Sequence, residues 1–224
     1  MDSRGRSLIG SGPAISLADT GQEPFYRSYH YQDTYHKAVV CLQTEHMPTA
    51  DDAICFAKLC NVNPTNLFLL VHCNSSLAAS VQVSARIVEQ TMNKMLYHKF
   101  DLNTIVYARG WCMVAPVVRN ELAAMGRIND CLRYGGEADF WVDGDDSHIE
   151  AIIDQLVTQG TPNDQTPFAQ LYKEANYNFQ KMSKAIHSPA KVQIFNMRTG
   201  KVHIRGEIQK ELLQKSLLAP LEGS

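Results

Sequence analysis

"NLFLLVHCNSSLAASVQVSARIVEQTMNKM", Asn66 to Met95, decides how this chain is read. Its first eight residues, Asn66–Cys73, form an uninterrupted apolar run of strand length. A run of this kind predicts a strand buried on both faces. The small polar residues Asn74–Ser80 read as a loop. From about Val81 to His98 the pattern becomes helical. Val81, Ala85, Val88, Met92, Met95 and Leu96 share one side of that helix. Gln82, Arg86, Glu89 and Asn93 share another, at steps of four, three and four. Arg86 and Glu89 therefore face the same way, just beyond the carboxyl end of a strand. Open α/β sheets bind their ligands there. The same spacing also describes an ordinary exposed ion pair, which contributes about 0.3–0.5 kcal/mol. Spacing alone leaves both readings open.

Working outward, the alternation of strand and helix continues and predicts an α/β fold. Lys37–Thr44 and Leu102–Gly110 read as strands, as does the start of "EADFWVDGDD". Thr49–Asn61 reads as a helix capped by Thr49, with Asp51 and Asp52 in its first turn and Ile54 and Leu59 on its apolar side. A long helix ends near Tyr134 at Gly135 and Gly136. Ser147–Gly160 reads as a helix with a capping box, Ser147 and Glu150. Pro167–Asn178 is helical. Ala190–Gly206 forms a hairpin around Arg198–Gly200, and Ile208–Leu218 closes the chain as an amphipathic helix. The first six residues read as a disordered start.

Composition narrows the function classes. The chain has 224 residues, 45% hydrophobic and 20% charged, with a net charge of −2. That balance offers no basic field for nucleic acid. No apolar run approaches the roughly 20 residues that span a bilayer. Six cysteines without a Cys-x-x-Cys read as reduced, mostly buried thiols in a cytosolic protein. The eight histidines show neither a His-Glu-x-x-His nor a zinc-like spacing, so no metal site is expected. Gly10, Ser11 and Gly12, ahead of Pro13, permit either a tight turn or a close backbone approach to a ligand. They lack the rest of a phosphate-binding motif, which disfavours a nucleotide-binding protein.

Four segments occur in a fixed order: "GSGPA" (10–14), "SVQVSARIVEQTMNKM" (80–95), "ELAAMGRINDCLRYGG" (121–136) and "SPAKVQIFNMRTGKVHIRG" (188–206). Together they resemble the methenyltetrahydromethanopterin cyclohydrolases of methanogens and methylotrophic bacteria, from about Ser7 to about Leu218. "AMGRINDCLRYGG" is the most specific of the matching strings. The resemblance implies mixed sheets with helices, in the family's two-domain architecture facing a pterin cleft. It also implies a cytoplasmic homotrimer working in one-carbon metabolism, as in methanogenesis or formaldehyde oxidation. Relatives carry a larger N-terminal region, so a shortened or divergent member is expected. On that basis 1–35 would be a remnant of the N-terminal domain and linker. Residues 36–187 would be an α/β domain carrying the Arg86/Glu89 helix, and 188–224 the C-terminal hairpin and helix.

The family reaction opens the methenyl bridge of a cationic pterin, reversibly, to the 5-formyl pterin. By resemblance Glu89 is the catalytic glutamate and Arg86 its partner. A carboxylate can orient and deprotonate water while complementing a cation. An arginine stays protonated and serves to hold and tune that carboxylate. No metal or redox cofactor is implied, because methanopterin is the substrate. Binding candidates are Gly10, Ser11, Gly12, Ser75, Ser76, Gly126, Arg127, Asn129 and Asp130. For Arg127 and Asp130 an internal ion pair is an equal reading. The sequence departs from the family pattern at Ile15, where relatives have arginine. It departs again at Trp111 and Met113, which are bulky in a loop of small residues. A non-catalytic paralogue that keeps the scaffold and binds a pterin-like ring is the competing expectation.

Overall fold

The computed structural model describes residues 9–18, 31–182, 186 and 188–220, so the start at 1–6 lies outside the described residues. The chain forms two compact units, Met1–Asn74 and Ser75–Ser224.

In the first unit, Ala38–Gln43 alternates inward and outward residues and forms the central strand β2 of a three-stranded sheet. Ala38, Val40 and Leu42 point into a core shared with Ala14, Leu17 and Cys60. The short strand β1, Ile9–Ser11, pairs with β2 antiparallel; β3, Leu67–His72, pairs with it parallel. The helix α1, Ala50–Leu59, starts as expected. Thr49 accepts from the Asp52 N–H, and the Asp52 carboxylate accepts from the Thr49 N–H at 2.8 Å, a complete capping box. Its inward residues are Asp52 and Ala57, whereas Ile54 and Leu59 lie outside.

The expectation of a fully buried strand at Asn66–Cys73 fails. Among the described residues β3 has β2 on one side and no strand on the other, an edge position. Leu67, Leu69 and Val71 pack on the core, while Phe68 and Leu70 are 49% and 56% exposed. An apolar run alone cannot tell a central strand from an edge strand with apolar residues on both faces.

The second unit is built on a four-stranded mixed sheet, in the order β4 (Ile105–Trp111), β5 (Glu137–Val142), β6 (Lys191–Asn196) and β7 (Val202–Gly206). β5 and β6 are parallel, and the other two pairs are antiparallel. Ala138, Phe140, Val142, Val192 and Ile194 are fully buried. β6 and β7 form the predicted hairpin, and Gly200 supplies the turn with φ of 75°. Since β6 pairs directly with β5, the hairpin belongs to the same unit as the strands before it. The two compact units divide between Asn74 and Ser75.

Helices pack around this sheet: α2 (Leu77–Ser84), α3 (Ile87–Tyr97), α4 (Glu121–Gly135), α5 (Asp146–Ile152), α6 (Phe168–Glu174) and α7 (Lys210–Leu218). α4 is central. Ile128, Cys131 and Tyr134 form one cluster with Ala79, Ala115 and Leu213; Met125 joins another with Phe168, Leu171 and Tyr172. The capping box expected at Ser147 and Glu150 is absent. α5 begins after Asp145 without a side-chain cap, and the Asp146 carboxylate accepts from Asn196, Thr199 and His203.

Candidate active site

The helix expected over Val81–His98 is two helices. α2 ends at Ser84 and α3 begins at Ile87, with Arg86 as its N-cap residue. The Arg86 N–H donates to the Val83 carbonyl at 3.0 Å, tightening the last turn of α2, and the Gln90 N–H then donates to the Arg86 carbonyl at 2.8 Å. Two contacts hold this break. The Ser84 hydroxyl donates to the Met113 carbonyl at 3.0 Å. Ile87, fully buried, fills the space beside two glycines. A β-carbon at Gly110 would lie 2.7 Å from Ile87 Cγ2, and one at Gly136 would lie 2.6 Å from Ile87 Cδ1.

The break changes which residues face inward. Ile87, Thr91, Lys94 and Met95 are the buried residues of α3, and Thr91 donates to the Ile87 carbonyl. Val81 and Ala85, from the apolar side of the expected helix, are exposed. Arg86 and Glu89 stay off the buried side. Arg86 Nε lies 3.7 Å from Glu89 Oε2, and the side chains are 32% and 59% exposed. At that separation the contact is an ion pair rather than a direct hydrogen bond. Glu89 also sits in the first turn of α3, where the helix dipole favours a negative charge. The arrangement offers an accessible carboxylate, held near a guanidinium at a helix start, able to take a proton from water and to face a cation.

The binding candidates separate into distinct places. Gly10 and Ser11 lie in β1, opposite Leu42 and Cys41. Gly12 has φ of 94°, and a β-carbon there would lie 3.0 Å from Cys41 Sγ, so the turn into Pro13 requires glycine. Ser76 is the N-cap of α2, its hydroxyl accepting from the Ala79 N–H at 3.2 Å, and the Ser75 N–H donates to Glu121 Oε1 at 2.7 Å. Gly126 lets α4 and α6 touch, since a β-carbon there would lie 2.8 Å from that of Ala169. Asn129 donates to the Met125 carbonyl within α4.

Arg127 and Asp130 do not pair with each other. Arg127 donates to the Ala219 carbonyl at 2.8 Å. Asp130 is buried against Arg133, 3.2 Å away, and also accepts from the Phe168 N–H at 3.0 Å and the Ser216 hydroxyl at 2.7 Å. Burial pushes its carboxyl up, and those donors pull it back. Arg133 in turn donates to the carbonyls of Thr166 and Asn163. This buried pair fastens α4 to α6, α7 and the loop before α6. Sequence reading passed over Arg133 because an arginine in the last turn of a helix usually looks to solvent. The signal available was its i,i+3 spacing from Asp130. Among the sequence departures, Trp111 and Met113 stand exposed at the end of β4 and just beyond it.

The chain is an α/β protein with an exposed Arg–Glu pair at a helix start, and comparison specifies its family. Residues 3–217 match the family model described as Cyclohydrolase (MCH), and the chain belongs to that family. It is 37% identical over 211 residues to the methenyltetrahydromethanopterin cyclohydrolase of Methanocaldococcus jannaschii. It is 38% identical over 212 residues to that of Methanothermobacter marburgensis, and 36% over 211 to that of Methanococcus aeolicus. Each alignment covers 93% of this chain and 65% of the relative. The chain thus spans 65% of the length of these relatives.

Proposed function

We propose that this chain serves the reversible hydrolysis of 5,10-methenyltetrahydromethanopterin to 5-formyltetrahydromethanopterin. The observation that carries the reading is the accessible Arg86–Glu89 pair at the start of α3, in a chain of the cyclohydrolase family. Water attacks the methenyl carbon, whose positive charge is shared by two nitrogens. Glu89 orients that water and accepts its proton as the new C–O bond forms. The bond from carbon to the distal nitrogen then breaks, Glu89 passes the proton it took to that nitrogen, the hydroxyl proton leaves to solvent as the C=O forms, and the formyl group stays on N5. Arg86 holds the Glu89 carboxylate in place and does not itself exchange protons.

The same reading covers the remaining expectations. The pterin is the substrate and carrier, and neither a metal nor a redox cofactor takes part. Gly10, Ser11, Gly12, Ser75, Ser76, Gly126, Arg127, Asn129 and Asp130 remain binding candidates. For Ser76, Gly126 and Asp130 the structural roles above are sufficient reasons for the residue. A cytoplasmic homotrimer in one-carbon metabolism completes the proposal. Among the described residues, no helix is long and apolar enough to cross a membrane.

The test follows the loss of methenyl absorbance when purified protein meets methenyltetrahydromethanopterin. Wild type should exceed the buffer rate. Glu89→Gln should lose about 10²–10⁴-fold, the span of a general base. Arg86→Ala should fall part of the way. Both variants should unfold at the wild-type temperature, because an exposed pair contributes about 1 kcal/mol at most. Binding of the pterin without turnover would replace the enzyme with a scaffold that retains the ring site.

A further inference from the structure

A cavity of about 550 Å³ opens in the second unit. Lys94 of α3 and His98, the residue that caps the end of α3, are both on its wall. Lys94 lies five residues beyond Glu89, about 140° round the helix, so the cavity is on a different side from the Arg86–Glu89 pair. Asp154 and the turn at Gly160–Thr161 form a second wall, and Arg205 and Gly206 of β7 form a third. Positive φ at Gly160 and Gly206, 83° and 71°, lets these two backbone segments bend at its rim.

The charge on these walls is uneven. Lys94 is 5% exposed, and its ammonium donates to the Ser188 hydroxyl at 2.9 Å. Arg205 donates to Asp154 through Nε and to the Ile204 carbonyl through Nη1 at 2.8 Å. Among the described lining residues Asp154 is the sole carboxylate, and it is engaged by Arg205. Two cations thus meet one anion on the wall. Burying an ammonium is costly, and burial lowers the Lys94 pKa to about 8. The charge is nonetheless present at neutral pH, beside a concavity large enough for a metabolite.

We propose that this cavity binds a small phosphate ester, its phosphoryl oxygens held between Lys94 and Arg205. Lys94 and Arg205 line the same cavity from different elements and supply a point-charge ammonium and a guanidinium fork, groups that suit a tetrahedral oxyanion. The volume exceeds that of a bare phosphate, leaving room for an organic portion beside polar groups such as Gln159. The site is independent of the chemistry proposed for Glu89.

Isothermal titration of the full chain tests it, with inorganic phosphate, ribose 5-phosphate and acetate at matched ionic strength. Phosphate and ribose 5-phosphate should bind saturably and compete, with the ester tighter, and acetate should not bind. Arg205→Ala, at an exposed position, should weaken both phosphates roughly tenfold or more, as loss of one charge-assisted contact implies. Lys94→Met should do the same, and Arg205→Ala stands alone if that variant does not fold. Absence of saturable binding at millimolar phosphate, equal binding of acetate, or wild-type affinity in Arg205→Ala would overturn the proposal.

Discussion

Ile87 occupies the space where a β-carbon on Gly110 would have to stand, with its Cγ2 2.7 Å from that position. Gly136 leaves room for the same side chain from β5's end of the sheet. Ile87 is the first residue of α3, and Arg86 and Glu89 lie one residue before it and two after it. A contact deep in the second unit thereby fixes where the candidate catalytic carboxylate is presented.

Gly110→Ala should therefore destabilise the protein by about 1–3 kcal/mol, the usual penalty for overpacking. Urea denaturation measures it. Gly144→Ala is the control, because a β-carbon there meets Thr104 at a comfortable 3.8 Å and should change stability by less than about 0.5 kcal/mol. Equal stability of the two variants would mean that Ile87 moves aside freely and does not anchor α3.

Asp130→Ala should cost about 3–5 kcal/mol, because it leaves Arg133 buried without its carboxylate and strips a partner from Phe168 N–H and Ser216. Arg127→Ala should cost far less, since Arg127 reaches a carbonyl near the surface. A thermal-melt comparison decides it. If Arg127→Ala proved as damaging as Asp130→Ala, the partner assignment within "GRINDCLR" would be wrong.

Lys94 gives stability a pH dependence of definite sign. Its pKa falls from 10.5 to about 8 in the folded protein, through burial. Between those values the unfolded chain holds a proton that the folded chain has released. Stability from this group therefore rises as pH climbs from about 8 towards 10.5, and its penalty is fully present below 8. Lys94→Met removes the titration. Its stability relative to wild type should be most favourable near pH 7 and should decline by pH 10. A difference that stays constant with pH, measured by urea denaturation, would show that Lys94 does not titrate in that window.

Much of the fold was legible because local rules and tertiary structure agree. The Thr49 capping box, the hairpin about Gly200 and the stop of α4 at its paired glycines each depend on neighbours within a few residues. The failures share a cause as well. The apolar run at Asn66–Cys73 predicts a strand buried on both faces, but an edge strand with apolar residues on both faces has the same local pattern. The helix over Val81–His98 was read as continuous, because Ala85 and Arg86 are good helix formers. The break is imposed from outside, by Met113 accepting from Ser84 and by two glycines admitting Ile87.

The sequence by itself determined the α/β class, the family, and the pairing of Arg86 with Glu89 on one helical face, since all three are written in short-range spacing and residue identity. Tertiary structure alone decided where α3 begins, that Asp130 answers to Arg133 instead of Arg127, and that Lys94 is buried in the wall of a cavity. Those outcomes depend on which surroundings each segment meets in space; Arg127 and Arg133 both stand three residues from Asp130, so spacing along the chain cannot choose between them.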